Sequence, residues 1–254
     1  MNEINEAFSK TSKLIFGKEF FQIDDYGNWL LKRIPGGDLC QSKTSNKMIY
    51  FPGEYAVFKE IPKNRLADLE SFINLGKIKI ALDKTDDLAK ISKKLEKSAL
   101  FIVEFINGQN QNVVDSTIYQ NLYNCYKILD CFDSKYLAYT FWVDNCEYVF
   151  GSAKSFDSKF SIHIYNSKKI IGSFEIDSCV NCSSSMFLHN CENTHDSIFC
   201  FNAKNLRYAV CNEILPKEKF FEIKKMLVED MIRNLEKNHY LETDIYNLGL
   251  GDHQ

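Results

Sequence analysis

Proline is almost absent from this chain. Four occur, at positions 35, 52, 62 and 216, and none lies between 63 and 215. A stretch without proline keeps every backbone N–H available for a continuous ladder. Also missing is any run of about 18 or more apolar residues, so no membrane-crossing helix is expected. The start, Met1-Asn2-Glu3-Ile4-Asn5-Glu6, is polar and acidic. It carries neither the basic nor the apolar part of an export signal, and the expectation is a cytoplasmic protein. There is no excess of basic charge: the formal net charge is −3 and the pI near 6.0. That balance sets aside nucleic acid as a partner. Lys and Glu are interspersed, which argues against a membrane partner. No GxxxxGK[ST] or GxGxxG phosphate loop is present. His163 and His195 have no nucleophile elbow beside them.

What is present in place of these is a repeated phrase. Between about 113 and 212, Asp or Asn is followed by Ser or Cys again and again: Asp115-Ser116, Asn124-Cys125, Asp130-Cys131, Asp133-Ser134, Asn145-Cys146, Asp157-Ser158, Asn166-Ser167, Asp177-Ser178, Asn181-Cys182, Asn190-Cys191 and Asp196-Ser197. Short apolar or aromatic bursts separate them. Asx residues turn corners and tolerate left-handed backbone, so the stretch reads as a parallel β-solenoid. Two interleaved Ser/Cys series suggest a period of roughly 20 residues and four to five coils, with insertions near Gly151 and Gly172. Eight of the nine cysteines lie in or at the end of this stretch. Small and readily buried, they suit the inside of a narrow coil. An odd count without an export signal argues against a disulfide framework.

The flanks follow other periods. Ile4, Phe8, Leu14 and Ile15 predict a helix ending at Gly17. Phe20–Ile23 with Trp29–Leu31, and Lys47–Phe51 with Glu54–Phe58, read as two hairpins. Residues 77–82, 85–95 and 99–106 read as strand, helix and strand with a right-handed crossover. Phe220, Ile223, Leu227, Met231 and Leu235 predict a helix over 216–237, expected to cover an end coil. Tyr240 to Gln254 reads as a loose tail.

From Cys179 through Cys191, Cys200 and Asn205-x-x-Tyr208-x-x-x-Asn212 into the Lys/Glu/aromatic helix, the chain resembles a family of uncharacterised proteins abundant in candidate-phylum bacteria and small archaea, some labelled CaiB/BaiF. The resemblance covers roughly 113–235 and rests on Cys/Ser repeats, then the Asn205, Tyr208, Asn212 phrase, then the helix. It implies no activity, and nothing here supports CoA-transferase chemistry. A weaker likeness, Phe16 to Cys40, matches a paired-cysteine zinc ribbon in that family. Only Cys40 remains here, so that zinc site is not expected.

Four residue sets invite a chemical reading. Cys179, Cys182, His189 and Cys191 are ligand types suited to zinc; inward or corner positions of a coil explain them equally, and Ser replaces Cys along the repeat. Asp115, Asp130, Asp133, Asp144, Asp157, Asp177 and Asp196 would line a groove in a polysaccharide-cleaving β-helix; corner turns are the simpler reading. Arg207 is the only arginine of the solenoid. Tubulin-cofactor-C-type domains are also β-helical and use an arginine finger on a GTPase, but the motif around that finger is missing here, and local pairing near the last coil is the simpler reading. Tyr139, Phe141, Trp142, Phe199 and Phe201 would form an exposed aromatic ladder for ligand binding; core fillers or aromatic stacks are the simpler reading.

The sequence therefore predicts an α+β N-terminal module (1–108), an all-β short parallel β-helix (109–212), and a capping helix with a tail (213–254). The leading functional expectation is a non-catalytic structural or assembly protein, a homo-oligomer or a binder of another protein, of the class of virion, shell or filament components. The alternative is a carbohydrate-active enzyme with a carboxylate-lined groove. No catalytic residue and no cofactor is assigned, zinc being the one cofactor considered.

Overall fold

The computed structural model describes residues 1–250. Its centre is a parallel β-solenoid of about nine turns between Ile106 and Val210. Each residue pairs with the one 12 positions on: Leu137 with Val149, Val149 with Ser161, Ile162 with Phe174, Met186 with Ile198. The coil is thus 12 residues, not 20, and there are about nine turns rather than four to five. The deeper unit is three residues. From Asn112 to Cys211 every third residue sits near φ +50°, with Gly151 and Gly172 in phase among them. Four such corners close one square turn.

This triplet gives each residue a fixed task. The corner residue is left-handed, which Asn, Asp and Gly tolerate best. The next residue points inward, and the third points outward. Only one β-branched residue, Ile118, occupies a corner, and no Val or Thr does. A branched Cβ meets the preceding carbonyl there. The Asp/Asn–Ser/Cys phrase is therefore a corner followed by an inward residue. Asp177-Ser178 is the one phrase out of phase: Asp177 points outward and Ser178 takes the corner. Gly151 and Gly172 are corners rather than insertion points. A Cβ on Gly151 would lie 2.5 Å from His163 Cδ2, so glycine makes room for that ring.

Ser and Cys interchange inside the coil because both do the same bonding. Ser161 Oγ donates to the Lys159 carbonyl and accepts from Ser173 N–H. Ser173, Ser185 and Ser197 repeat this up the column, ending at Ala209 N–H. Cys179 likewise donates to the Asp177 carbonyl and accepts from Cys191 N–H. The hydroxyl or thiol satisfies an inward N–H that would otherwise be buried without a partner. Seven of the nine cysteines are buried in this way, while Cys40 and Cys211 are not. Corner amides form ladders outside, for example Asn181 to Asn193 at 2.6 Å and Asn193 to Asn205 at 3.2 Å.

The four sides differ in what covers them. One side presents Tyr126, Ala138, Phe150, Ile162, Phe174, Met186 and Ile198, all buried. Helix α1 (Asn2–Phe16) lies on it, with Phe8 against Phe150 at 5.4 Å and Phe16 against Phe174 at 5.2 Å. Gly17 ends α1 in a left-handed cap, as expected. Leu14 departs from the expected stripe, being 55% exposed. The region read as a first hairpin is a 3-10 turn (Ile23–Tyr26) followed by the short helix α2 (Gly27–Leu30). Phe20, Ile23, Tyr26 and Trp29 are buried at a spacing of three, which a strand cannot place on one face.

Strand β1 (Asp38–Gln41) pairs antiparallel with β2 (Met48–Phe51). The second hairpin thus uses the expected strand at 48–51 but an upstream partner. Its loop folds back so that Ser42, Thr44 and Ser45 donate to the buried Asp68 carboxylate. Residues 77–82 form no strand. Helix α3 (Phe72–Leu75) precedes them, and α4 (Leu88–Lys94) follows, capped by Asp87. The stretch 99–106 contributes a single bridge, Phe101 to Leu66, and then Ile106 as the first rung. No neighbouring strand is placed to complete the expected α/β unit.

Helix α5 (Lys217–Asn238) buries Phe220, Met231 and Leu235 of the predicted stripe. It does not cover the end coil. It runs back along the side of the stack, with Phe220 at Tyr208, Lys224 Nζ donating to the Ser184 carbonyl, and Glu236 at Lys18. The described part of the tail is not loose, since Leu241, Asp244 and Ile245 are buried; residues 251–254 lie outside the described residues.

Candidate functional site

The densest group of ionisable side chains outside the coil interior lies beneath that tail. His163 and Glu175 are corner residues of successive turns, each 1% exposed. His163 Nδ1 lies 2.6 Å from Glu175 Oε1, and Trp29 packs on the imidazole at 4.6 Å. Glu175 Oε2 accepts from Ile245 N–H. Asp177, also buried, accepts from Asn166 Nδ2 and lies 2.8 Å from His189 Nδ1. Above them Asp244 binds Lys32 at 2.8 Å and Arg33 at 2.7 Å, and Arg33 stacks on Tyr246 at 4.3 Å. Burial, then the Asp177 charge, pushes the Tyr246 hydroxyl well up. His163 Nε2 has no hydrogen-bond partner. These groups have acid–base chemistry, but His163, Glu175 and Asp177 are buried beneath the tail, while His189 and Tyr246 stay partly exposed. Their arrangement fastens residues 240–246 to the solenoid.

Burial opposes the charge on Asp244, but bonds to Lys32 and Arg33 outweigh it and hold the carboxyl below its ordinary value. A depressed folded-state pKa contributes stability above the unfolded carboxylate range, near pH 4, and that contribution fades as pH falls through the folded value. Asp244→Asn is expected to cost about 1–3 kcal/mol at neutral pH and to flatten the acid limb of the stability profile. Urea unfolding between pH 3 and 7 reads both, and an unchanged acid limb would remove Asp244 as the fastener.

Of the residues singled out by sequence, Cys179, Cys182 and Cys191 are brought together inside the coil, and the others are dispersed. Cys179, Cys182 and Cys191 point into the coil, whereas His189 points outward onto Asp177. Hydrogen bonding to the Cys182 and Cys191 thiols, with burial, pushes Cys179 well up; burial pushes Cys125 up to about 12. Among the described residues no group of three His, Cys, Asp or Glu side chains is placed to hold a metal ion. Asp115, Asp130, Asp133, Asp157 and Asp196 stand at left-handed corners. Two of them accept ladder bonds, Asp133 from Asn121 and Asp157 from Asn145. Asp144 is pushed up by burial and by Asp133 and Asp157 on either side.

Arg207 pairs with Asp196 at 3.4 Å and lies over Tyr208. His195 Nδ1 is 2.8 Å from Ser183 Oγ. Tyr139 is buried and donates to Asp24, Phe141 packs on Tyr55, and Trp142 is 45% exposed beneath Lys154. Phe199 stacks on Phe187 at 5.0 Å, in the floor of a cleft of about 500 Å³ between α5 and the tail. Asn205 and Tyr208 are corners of the last coil. Asn212 uses its amide to bond both the N–H and the carbonyl of Phe201, standing in for a further strand.

Sequence reasoning missed Lys32, Arg33, Glu175, Asp244 and Tyr246. No local pattern marks them, because Lys32–Arg33 and Asp244 are brought together only across the whole chain. Among the described residues no helix is long and apolar enough to cross a membrane. No protein-family model matches the chain, and no curated protein does.

Proposed function

We propose that this protein is a non-catalytic scaffold that associates with itself end to end. The observation that carries the reading is where the coil ladder stops. On the covered sides it is terminated: Glu213–Ile214 folds back on Ala209–Val210, and the Asn212 amide occupies the Phe201 backbone. On the two uncovered sides it is not. Lys204 and Arg207 bridge inward to Glu192 and His195, and at the other end Gln111 and Val113 pair with Tyr123 and Cys125. Among the described residues no strand pairs on the other edge of either segment. Open parallel edges are templates for a further strand, and successive coils are complementary by construction. An in-register continuation by 12 residues sets Gln111 of a second copy on Arg207.

Light scattering after size-exclusion chromatography, over a concentration series, tests this. The wild-type mass should rise with concentration. Gln111→Glu should strengthen association by pairing with Arg207, and Gln111→Arg should weaken it. A strict monomer at every concentration would overturn the scaffold reading. Association indifferent to both substitutions would place the contact elsewhere.

A further inference from the structure

Between Leu69 and Ile102 not one residue is buried. Yet the segment contains Phe72, Ile73, Leu82 and Leu88, which are 65%, 68%, 60% and 84% exposed. Large apolar side chains exposed in this number within one segment mark an interaction surface. The same segment concentrates positive charge. Residues 77–97 hold seven lysines (77, 79, 84, 90, 93, 94 and 97) against Asp83, Asp86, Asp87 and Glu96, a net +3 in a chain of net −3. Asp83 and Asp86 are both engaged by Lys94. Among the described residues no ion pair involves Lys77, Lys79, Lys84, Lys90, Lys93 or Lys97.

We propose that residues 69–102 are a docking surface for an anionic lipid bilayer. Three observations select this occupant. A second copy would bring one segment of net +2 (residues 69–102, Glu70 included) against another, which like-charge repulsion disfavours. A single partner helix would fill the groove of Leu69, Phe72, Ile73, Leu75, Leu100 and Phe105 but leave Leu82 and Leu88 in water. A bilayer, unlike one helix, can receive apolar side chains that line no common groove. The alternation Lys77-Ile78-Lys79-Ile80 suits an interface, where apolar side chains enter the acyl boundary and lysine stems reach the headgroups. The lysines that look evenly mixed with acids over the whole chain are, in this segment, in excess and beside exposed hydrophobic groups.

Vesicle co-sedimentation of the full chain tests the assignment. One set of vesicles is phosphatidylcholine alone; the other carries about 30% phosphatidylserine. Partition should be about tenfold or more stronger on the anionic vesicles and should fall steeply as salt rises. Phe72→Asp with Ile73→Asp should abolish it, and Lys77→Glu with Lys79→Glu should reduce it about tenfold. None of the four positions is buried, so both double variants should keep the wild-type circular dichroism and melting temperature. Absent partition, equal partition on neutral vesicles, or binding indifferent to either double variant overturns the proposal. If the variants change the mass in light scattering and leave vesicle binding unchanged, the surface is assigned to a second copy, and the lipid proposal fails.

Discussion

Trp29→Ala is expected to lower the unfolding free energy by about 3–5 kcal/mol. The indole is 1% exposed and sits between Tyr26, Phe174 and the His163 imidazole. Truncation leaves a cavity at the junction of α2 with the solenoid. It also admits water to the His163–Glu175 pair, whose Nε2 already lacks a partner. Trp29→Phe retains much of the ring and should cost only about 1–2 kcal/mol. Urea unfolding followed by far-ultraviolet circular dichroism measures both. A loss below about 1 kcal/mol for the alanine variant would mean that the N-terminal segment is only loosely docked. In that case the coil would stand without α1 and α2.

Removing one residue should do more than any substitution. Deletion of Asn181 moves the triplet phase of every following coil by one position. Ser183, Met186, His189, Glu192 and His195 would then occupy the interior slots now held by Cys182, Ser185, Leu188, Cys191 and Thr194. Glu192 and the two imidazoles would lose water without gaining partners, a cost of several kcal/mol for the carboxylate alone. Thr194 would move to a left-handed corner, where a β-branched residue is strained. The C-terminal coils are expected to lose hydrogen-exchange protection or the protein to become insoluble. Asn181→Gly keeps the phase and loses only the 2.6 Å ladder bond to Asn193, for about 1 kcal/mol. Equal behaviour of the two variants would contradict the triplet account.

That account shows how much of the fold was legible in the residues. The solenoid, its proline-free extent and the corner role of Asx were visible, because each coil imposes the same local backbone demand at every turn. The period was misread for a definable reason. Ser and Cys fill only some of the inward slots; Val, Leu, Ile, Thr, Ala and, once, Tyr119 fill the rest, so the Ser/Cys series skips turns. The better signal is at the corners. Ten of the eleven Asx phrases are separated by multiples of three, and β-branched residues avoid that phase save at Ile118. Helices α1 and α5 were legible from their apolar stripes, because a helix carries its own 3.6-residue record of which face is covered.

What covers what was decided by the tertiary structure alone. The α5 stripe is the same whether it caps an end coil or lies along a flank. The flank prevails because one solenoid side presents an unbroken apolar column, Phe150 to Ile198, while the final coil is closed on its covered sides by Asn212 and Ile214. The tail reads as loose, yet Asp244 meets Lys32 and Arg33 some 210 residues away in sequence. Non-local pairing of this kind has no periodic trace. The sequence by itself determined that the chain winds into a coil with Asx corners and a Ser/Cys-rich interior, since those demands are local and repeat. Which sides are sealed, which edges stay open and which lysines stand beside exposed apolar groups depend on contacts between distant segments, and only the folded chain decides them.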